Sequence, residues 1–402
     1  MLRTTLLLSL LTACGSTPDD TELDTEAAEP VTVRFATFNV SLFRSEAGEL
    51  VSDLGDPEHE QARLAAAIIQ EVRPDVLLLN EVDWDADGEA VSRLLSDFIG
   101  VGQDGREAMT YEHVYLPPVN TGAPSGVDLD GNGSVGGAEG SDDYGNDSFG
   151  FGTYPGQYGL VVLSRYPIDE TGVRTFRELL WKDLPGHMMP PDYYSSEAED
   201  ALRLSSKTHA DVPVQIDGAT VHFLVSHPTP PNFDGAEDRN GRRNHDEIAF
   251  WTHYLDADST SWQVDDQGRQ GGLDGASFVI AGDLNSDPED GGSAGDPIAD
   301  LVAHARVVDP EPSSVGGEEQ AELQAGRNFG QSGDPALDTA DFNDSTVGNL
   351  RVDFVLPSAD LPVLDAGVFW PASDDPNFEL VGTHPFPVSD HRLVWVDVEV
   401  GG

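Results

Sequence analysis

Short apolar runs recur along this chain, and most of them close on a polar side chain. Val31 to Val40 alternates as a strand does, with Asn39 near its end. Asp56-Pro57-Glu58 carries a capping acid and a first-turn proline, so a helix is expected through Ala62 to Val72. Leu64, Ile68 and Val72 share one face of it, and Pro74 stops it. Asp75 to Leu79 is a continuous apolar strand running into Asn80-Glu81. A second helix is expected over Glu89 to Phe98, then strands over Tyr111 to Leu116 and Gly159 to Ser164. Leu202 to Ala210, Val212 to Ile216 and Thr220 to Ser226 read as sheet, and Asn244 to Leu255 as helix. Phe278 to Ala281, Arg351 to Leu356 and Arg392 to Val400 complete the strands. Two segments break the pattern. Pro117 to Gly156 is rich in Gly, Asp and Pro and too long for a simple connection. Ser313 to Asp344 is polar with little periodicity.

A polar residue at the end of a buried strand is costly unless something satisfies it. Asn80-Glu81, Ser226-His227-Pro228 and Gly282-Asp283-Leu284-Asn285 each close an apolar run, and Ser389-Asp390-His391 opens one. Such sites, far apart in the chain, suggest one shared centre. Glu81, Asp283, Asn285 and Asp390 are hard oxygen ligands, suited to magnesium, manganese or calcium more than to zinc. With such a cation held, His227 and His391 can exchange protons with phosphate oxygens or a leaving group. Taken singly, each residue has a plainer reading. Asn39 can cap a strand end, His227 can be a satisfied core histidine, and Asp283 and Asn285 can form a turn. Asp353, in turn, can be a turn residue.

The joint order removes that ambiguity. Thr37-Phe38-Asn39, Asn80-Glu81, Ser226-His227, Gly282 to Asn285, Val352-Asp353-Phe354 and Ser389-Asp390-His391 follow one another as in the endonuclease/exonuclease/phosphatase superfamily. Gly159 to Pro167 also resembles a common strand of that superfamily. The resemblance spans about residues 31–400, within a domain read as 31–402, and implies an α/β four-layer sandwich of two mixed β-sheets flanked by helices. It implies Glu81 as principal metal ligand, with Asn39 and Asp390 holding or orienting the metal and its waters. It implies Asp283 as the residue that aligns or activates the attacking water and Asn285 as the one that orients the phosphate. His391, oriented by Asp353, and His227 form the acid–base pair, and the sequence leaves open which is acid and which is base. Magnesium, with manganese as the alternative, is the implied cofactor.

Acidic and basic residues number 73 and 21, for a net charge of −52. Such a charge repels nucleic-acid phosphates, so polynucleotides are disfavoured partners, although a surface nuclease stays open as an alternative. The chain has only two lysines, Lys182 and Lys207. Three arginines, Arg239, Arg242 and Arg243, gather after His227. They are candidate phosphate-binding residues, or else partners for Glu237 and Asp238. Within the 117–156 insertion, Asp128, Asp130, Asn132, Ser134 and Glu139 have the spacing of a calcium loop without its flanking helices. A structural Ca2+ there is one reading, a flexible acidic loop the other. A non-catalytic calcium-binding surface lipoprotein is accordingly the third function on the table.

Residues 1–14 read as a lipoprotein signal peptide. Arg3 is its charged region and Leu6 to Leu11 its apolar core. Leu11-Thr12-Ala13-Cys14 resembles a lipobox, which implies Cys14 as the lipidation site. Cys14 is the sole cysteine, which rules out an intramolecular disulfide. Residues 15–30 read as an acidic disordered tether. The expectation is an outer-membrane lipoprotein, periplasmic or at the cell surface, attached by its lipid alone and monomeric. Its substrate is expected to be a small or lipid phosphoester.

Overall fold

The computed structural model describes residues 29–256 and 261–401. The signal peptide with Cys14, and nearly all of the tether, lie outside the described residues. In chain order the strands are β1 (Val31–Leu42), β2 (Val76–Val82), β3 (His113–Tyr115), β4 (Gly159–Ser164) and β5 (Arg174–Thr175). Then come β6 (His209–Ile216), β7 (Ala219–Ser226), β8 (Phe278–Asp283), β9 (Ala340–Asp341) and β10 (Asn349–Leu350). The last are β11 (Asp353–Pro357), β12 (Val363–Val368) and β13 (Val394–Val400).

Two large mixed sheets dominate. One has the order β12-β13-β1-β2-β4-β3, the other β11-β8-β7-β6-β5, with β9 and β10 as a separate ribbon. In each large sheet one pair is parallel, β1 with β2 and β7 with β8. The sheets pack face to face through Phe35, Val76, Leu78 and Val162 of the first and Val212, Phe223, Val279 and Val355 of the second. The outer face of the first sheet is covered by Ala62, Ala66 and Ile69 of the Glu60–Val72 helix, among others. That of the second is covered by Ile248, Phe250 and Trp251 of the Arg239–Leu255 helix. The result is the four-layer sandwich, and its continuous apolar strands are explained by burial on both faces. Among the described residues no helix is long and apolar enough to cross a membrane.

Several boundaries differ from the sequence expectation. The stretch from Leu202 joins the large sheet only at His209: before it Arg203 makes an isolated bridge with Leu180, and the Ser206 amide donates to the buried Glu247 carboxylate at 2.6 Å and not to a neighbouring strand. The expected Asn244–Leu255 helix starts earlier, at Arg239, and the Glu89 helix passes into a π-helical turn over Leu94–Ile99. The polar stretch after Ser313 holds a helix, Val315–Gln324, capped by Ser314 Oγ accepting from the Gly317 amide at 3.1 Å. Its buried residues are Gly316, Gly317, Gln320 and Ala321, a face too small and polar to register as hydrophobic periodicity. β5 and β12 were also unforeseen.

Candidate active site

The site lies where strands of both sheets end together. Asn39 is near the end of β1 and pairs in register with Asn80 of β2. The β1–β2 register breaks between Asn39 and Leu42, and the β2–β4 register breaks between Asn80 and Val82. Glu81 falls in the second irregularity with a left-handed φ of 61°, and Ser41 in the first with φ 49°. Such a bulge re-aims a side chain, at a cost in backbone strain of about 1–3 kcal/mol per residue. Across the sandwich, Asp283 ends β8 directly opposite Asp353 of β11. Gly282 precedes it because a Cβ there would come within 2.0 Å of the Ser226 carbonyl oxygen. Asn285 follows with φ 52°.

Asp283 is the hub. Its Oδ2 accepts from Asn39 Nδ2 at 3.1 Å and lies 3.3 Å from His227 Nε2 and 3.7 Å from His391 Nε2. His391 Nδ1 lies 2.9 Å from Asp353 Oδ2, which also accepts from Thr339 Oγ1 at 2.9 Å. Two carboxylates facing each other across a ladder repel, and His391 stands against both. Asp390 Oδ1 is 4.0 Å from His391 Nε2, with its side chain 41 % exposed. The outer parts are tied down as well. Ser389 Oγ meets Ser41 Oγ at 3.0 Å, and Asn285 Nδ2 donates to the Pro228 carbonyl at 3.2 Å. The Glu247 carboxylate also takes the Thr229 amide at 2.6 Å, and Asn244 Nδ2 donates to the carbonyls of Thr229 and Leu284 at 2.9 Å each. One helix therefore fixes the loop after His227 and the loop after Asp283 together.

These surroundings set the protonation states. Burial pushes the Glu81 carboxyl up to about 7, Asp283 adds to the rise, and His391, Lys207 and Asn39 partly offset it. Burial pulls His227 down to about 4, helped by the Lys207 charge, so it is neutral near pH 7. Its Nδ1 is buried without a partner among the described residues. For His391, burial is outweighed by the carboxylates of Asp353 and Asp283, which raise it well above its usual value. Burial would raise Asp283, but the two imidazoles and Asn39 hold it low and ionised. Burial lifts Asp353 to about 6 despite its bond to His391.

Asn39, Glu81, His227, Asp283, Asn285, Asp353, Asp390 and His391 are thus brought to one place. The three arginines bond to none of these eight among the described residues. Arg243 is buried, its guanidinium spent on the carbonyls of Leu204, Phe149 and Arg203 at 2.7–3.0 Å. Arg239 pairs with Glu237, and Arg242 donates to the carbonyls of Glu237 and Met188. In the insertion, Asp128 and Asp130 group with Asp147, and Glu139 stays exposed outside the group. Asp128, Asp130, Asn132 and Ser134 fold over one another by short local hydrogen bonds. Sequence reasoning missed Asp147, Thr339, Glu247 and Lys207. The lysine had a signal, as one of two in an acidic chain.

A family model described as the endonuclease/exonuclease/phosphatase family matches residues 36–391. The chain belongs to the endonuclease/exonuclease/phosphatase family. No curated protein matches. Among solved structures, an endonuclease/exonuclease/phosphatase from Beutenbergia cavernae DSM 12333 is similar, with a TM-score of 0.51 and 20% identity. That match covers 92% of this chain and 72% of the other and shows the fold. A mannosyl-6-phosphatase from Bacteroides thetaiotaomicron VPI-5482 aligns at TM-score 0.45 and 11% identity, covering 91% of this chain and 99% of its own. The human nocturnin catalytic domain aligns at TM-score 0.43 and 14% identity, covering 92% and 94%. Members of the family are phosphoester hydrolases and typically use divalent metals.

The residues present fit such a cation. Glu81 is a half-buried carboxylate whose charge is disfavoured by its surroundings, a state that a hard cation would reverse. Asp283, Asp353 and His391 also offer ligand atoms within 4.8 Å of one another. That trio is already tied by the His391–Asp353 hydrogen bond, so it is better suited to proton transfer than to ligation.

Proposed function

We propose that this chain is a divalent-metal-dependent hydrolase of small or lipid phosphoesters. The observation that carries the reading is the convergence of Asn39, His227 and His391 on the one Asp283 carboxylate. A magnesium or manganese ion held by Glu81, with Asn39 and Asp390 beside it, would supply charge to polarise the phosphoryl group. Asp283, ionised and flanked by two imidazoles, accepts a hydrogen bond from the attacking water and aligns it. His391 is the cationic member of the pair, with Asp353 fixing its ring. It stabilises the charge that develops on the phosphoryl oxygens. His227 is the neutral member, oriented toward Asp283 through Nε2. Asn285, anchored on Pro228, orients the phosphate.

The net charge of −52, and an arginine cluster occupied by its own chain, favour small or lipid substrates over polynucleotides. We place the enzyme at the outer membrane, anchored through Cys14, on the lipobox alone. We assign the Asp128–Asp147 group a structural Ca2+.

The test is hydrolysis by the purified chain with magnesium, manganese or calcium. Substrates are bis-p-nitrophenyl phosphate, sphingomyelin, phosphatidylinositol, DNA and RNA. Metal-dependent turnover of the small or lipid esters, lost in Glu81→Ala, is expected. Turnover confined to DNA or RNA would favour a surface nuclease. No turnover on any of them would leave the non-catalytic lipoprotein.

A further inference from the structure

Lys207 precedes β6 and is buried, at 7 % exposure. Taking an ammonium out of water costs several kcal/mol unless it is paired and hydrogen-bonded. Among the described residues no carboxylate forms an ion pair with Lys207, and its ammonium makes a single long hydrogen bond, from Nζ to the Pro228 carbonyl at 3.4 Å. The obvious counter-ion is already engaged. Glu247 takes the Ser206 amide and hydroxyl on one oxygen and the Thr229 amide on the other. A lysine held there only for stability would be expected to close a salt bridge, and this one does not.

Its surroundings give the reason. The carbonyl that Nζ touches belongs to the residue after His227, and the same carbonyl accepts from Asn285 Nδ2 at 3.2 Å. Lys207 is also near enough to Glu81, Asp283 and His227 for its charge to act on all three. We propose that Lys207 is a substrate-binding residue whose spare N–H groups take a non-bridging phosphoryl oxygen between His227 and Asn285. The inference rests on the hydrolase reading and deepens it: the site grips a phosphoryl anion through a buried point charge as well as through a metal.

Binding of inorganic phosphate, titrated by calorimetry in the presence of magnesium, tests this separately from turnover. Lys207→Met is expected to weaken phosphate binding by about 10- to 100-fold, the loss of one charge-assisted hydrogen bond. KM for the ester that the wild type turns over rises in parallel, and Lys207→Arg recovers most of both. Should Lys207→Met not fold, Lys207→Gln is read in the same way, since it keeps a donor for Pro228 and drops the charge. Neutral variants that bind phosphate as tightly as the wild type overturn the assignment, even where the wild type is an active hydrolase. A wild type that binds phosphate through Lys207 but hydrolyses no ester leaves the assignment standing and removes the hydrolase reading.

Discussion

His391 is held between two carboxylates: its Nδ1 lies 2.9 Å from Asp353 Oδ2, and its Nε2 faces Asp283 Oδ2 at 3.7 Å. The near carboxylate orients the ring, and both favour its charged form. Asp353→Asn keeps the shape and removes one charge. His391 then titrates lower, so the alkaline limb of the kcat/KM profile should move to lower pH. The rate at the optimum is expected to fall on the order of 10²- to 10⁴-fold, as for other orienting carboxylates. An alkaline limb that stays in place in Asp353→Asn would show that His391 is not the group titrating there.

Glu81 makes a prediction about stability. In the folded, metal-free chain its carboxyl is raised from 4.5 to about 7. The folded state therefore binds this proton more tightly than the unfolded chain does. The associated stabilisation is complete below pH 4.5 and is lost as pH rises through about 7. In chelator, Glu81→Gln should match the wild type at the acid end and exceed it at pH 8, by on the order of 1–3 kcal/mol. Added magnesium should reverse the order at pH 8, because only the carboxylate gains from the cation. Thermal melts at both pH values, with and without magnesium, check this. A wild type that outlasts Glu81→Gln at pH 8 in chelator would contradict it.

How much of this was readable from the chain depends on what each residue follows. Asp283 and Glu81 were legible because each ends an apolar run, where a carboxylate has no structural excuse. Their convergence was legible only through the order of the matched segments, since β2 and β8 are in different sheets. Lys207 escaped notice as a site residue because it falls inside Leu202 to Ala210, a stretch that reads as plain strand; its burial comes from Glu247, forty residues on, which pins Ser206 beside it. Asp353 and Asp283 were each identified, but the strand register that sets them face to face cannot be read from their sequence separation. The arginine cluster shows the converse limit. Three guanidinium groups look like a phosphate site until the carbonyls of Leu204, Phe149 and Arg203 are found already bound to one of them.

Glu247 should matter to both fold and rate without touching substrate. Its oxygens satisfy the Ser206 amide and hydroxyl and the Thr229 amide, all buried. Glu247→Ala strands those donors and should cost roughly 2–5 kcal/mol by urea unfolding. The freed Thr229 loop carries His227 and Pro228, so kcat should fall in the folded fraction as well. Stability within 1 kcal/mol of the wild type (about the worth of a single hydrogen bond) would mean that the helix does not pin the loop.

The insertion offers a test of which acid closes its loop. Spacing alone nominates Glu139, twelfth from Asp128, whereas the fold brings Asp147 to Asp128 and Asp130 and leaves Glu139 exposed. Asp147 is buried, and its oxygens already organise the loop by accepting the amides of Leu129 at 2.6 Å and Gly136 at 2.5 Å. Three carboxylates so close repel unless a cation joins them, so bound calcium should raise the melting temperature. Asp130→Ala and Asp147→Asn should each abolish the calcium-dependent rise, and Glu139→Ala should keep it. Hydrolysis measured with magnesium should survive in Asp130→Ala, because Asp130 shares no hydrogen-bond or ion-pair partner with Asp283 among the described residues. A response lost in Glu139→Ala but retained in Asp147→Asn would return the ligand role to the residue that the spacing picked.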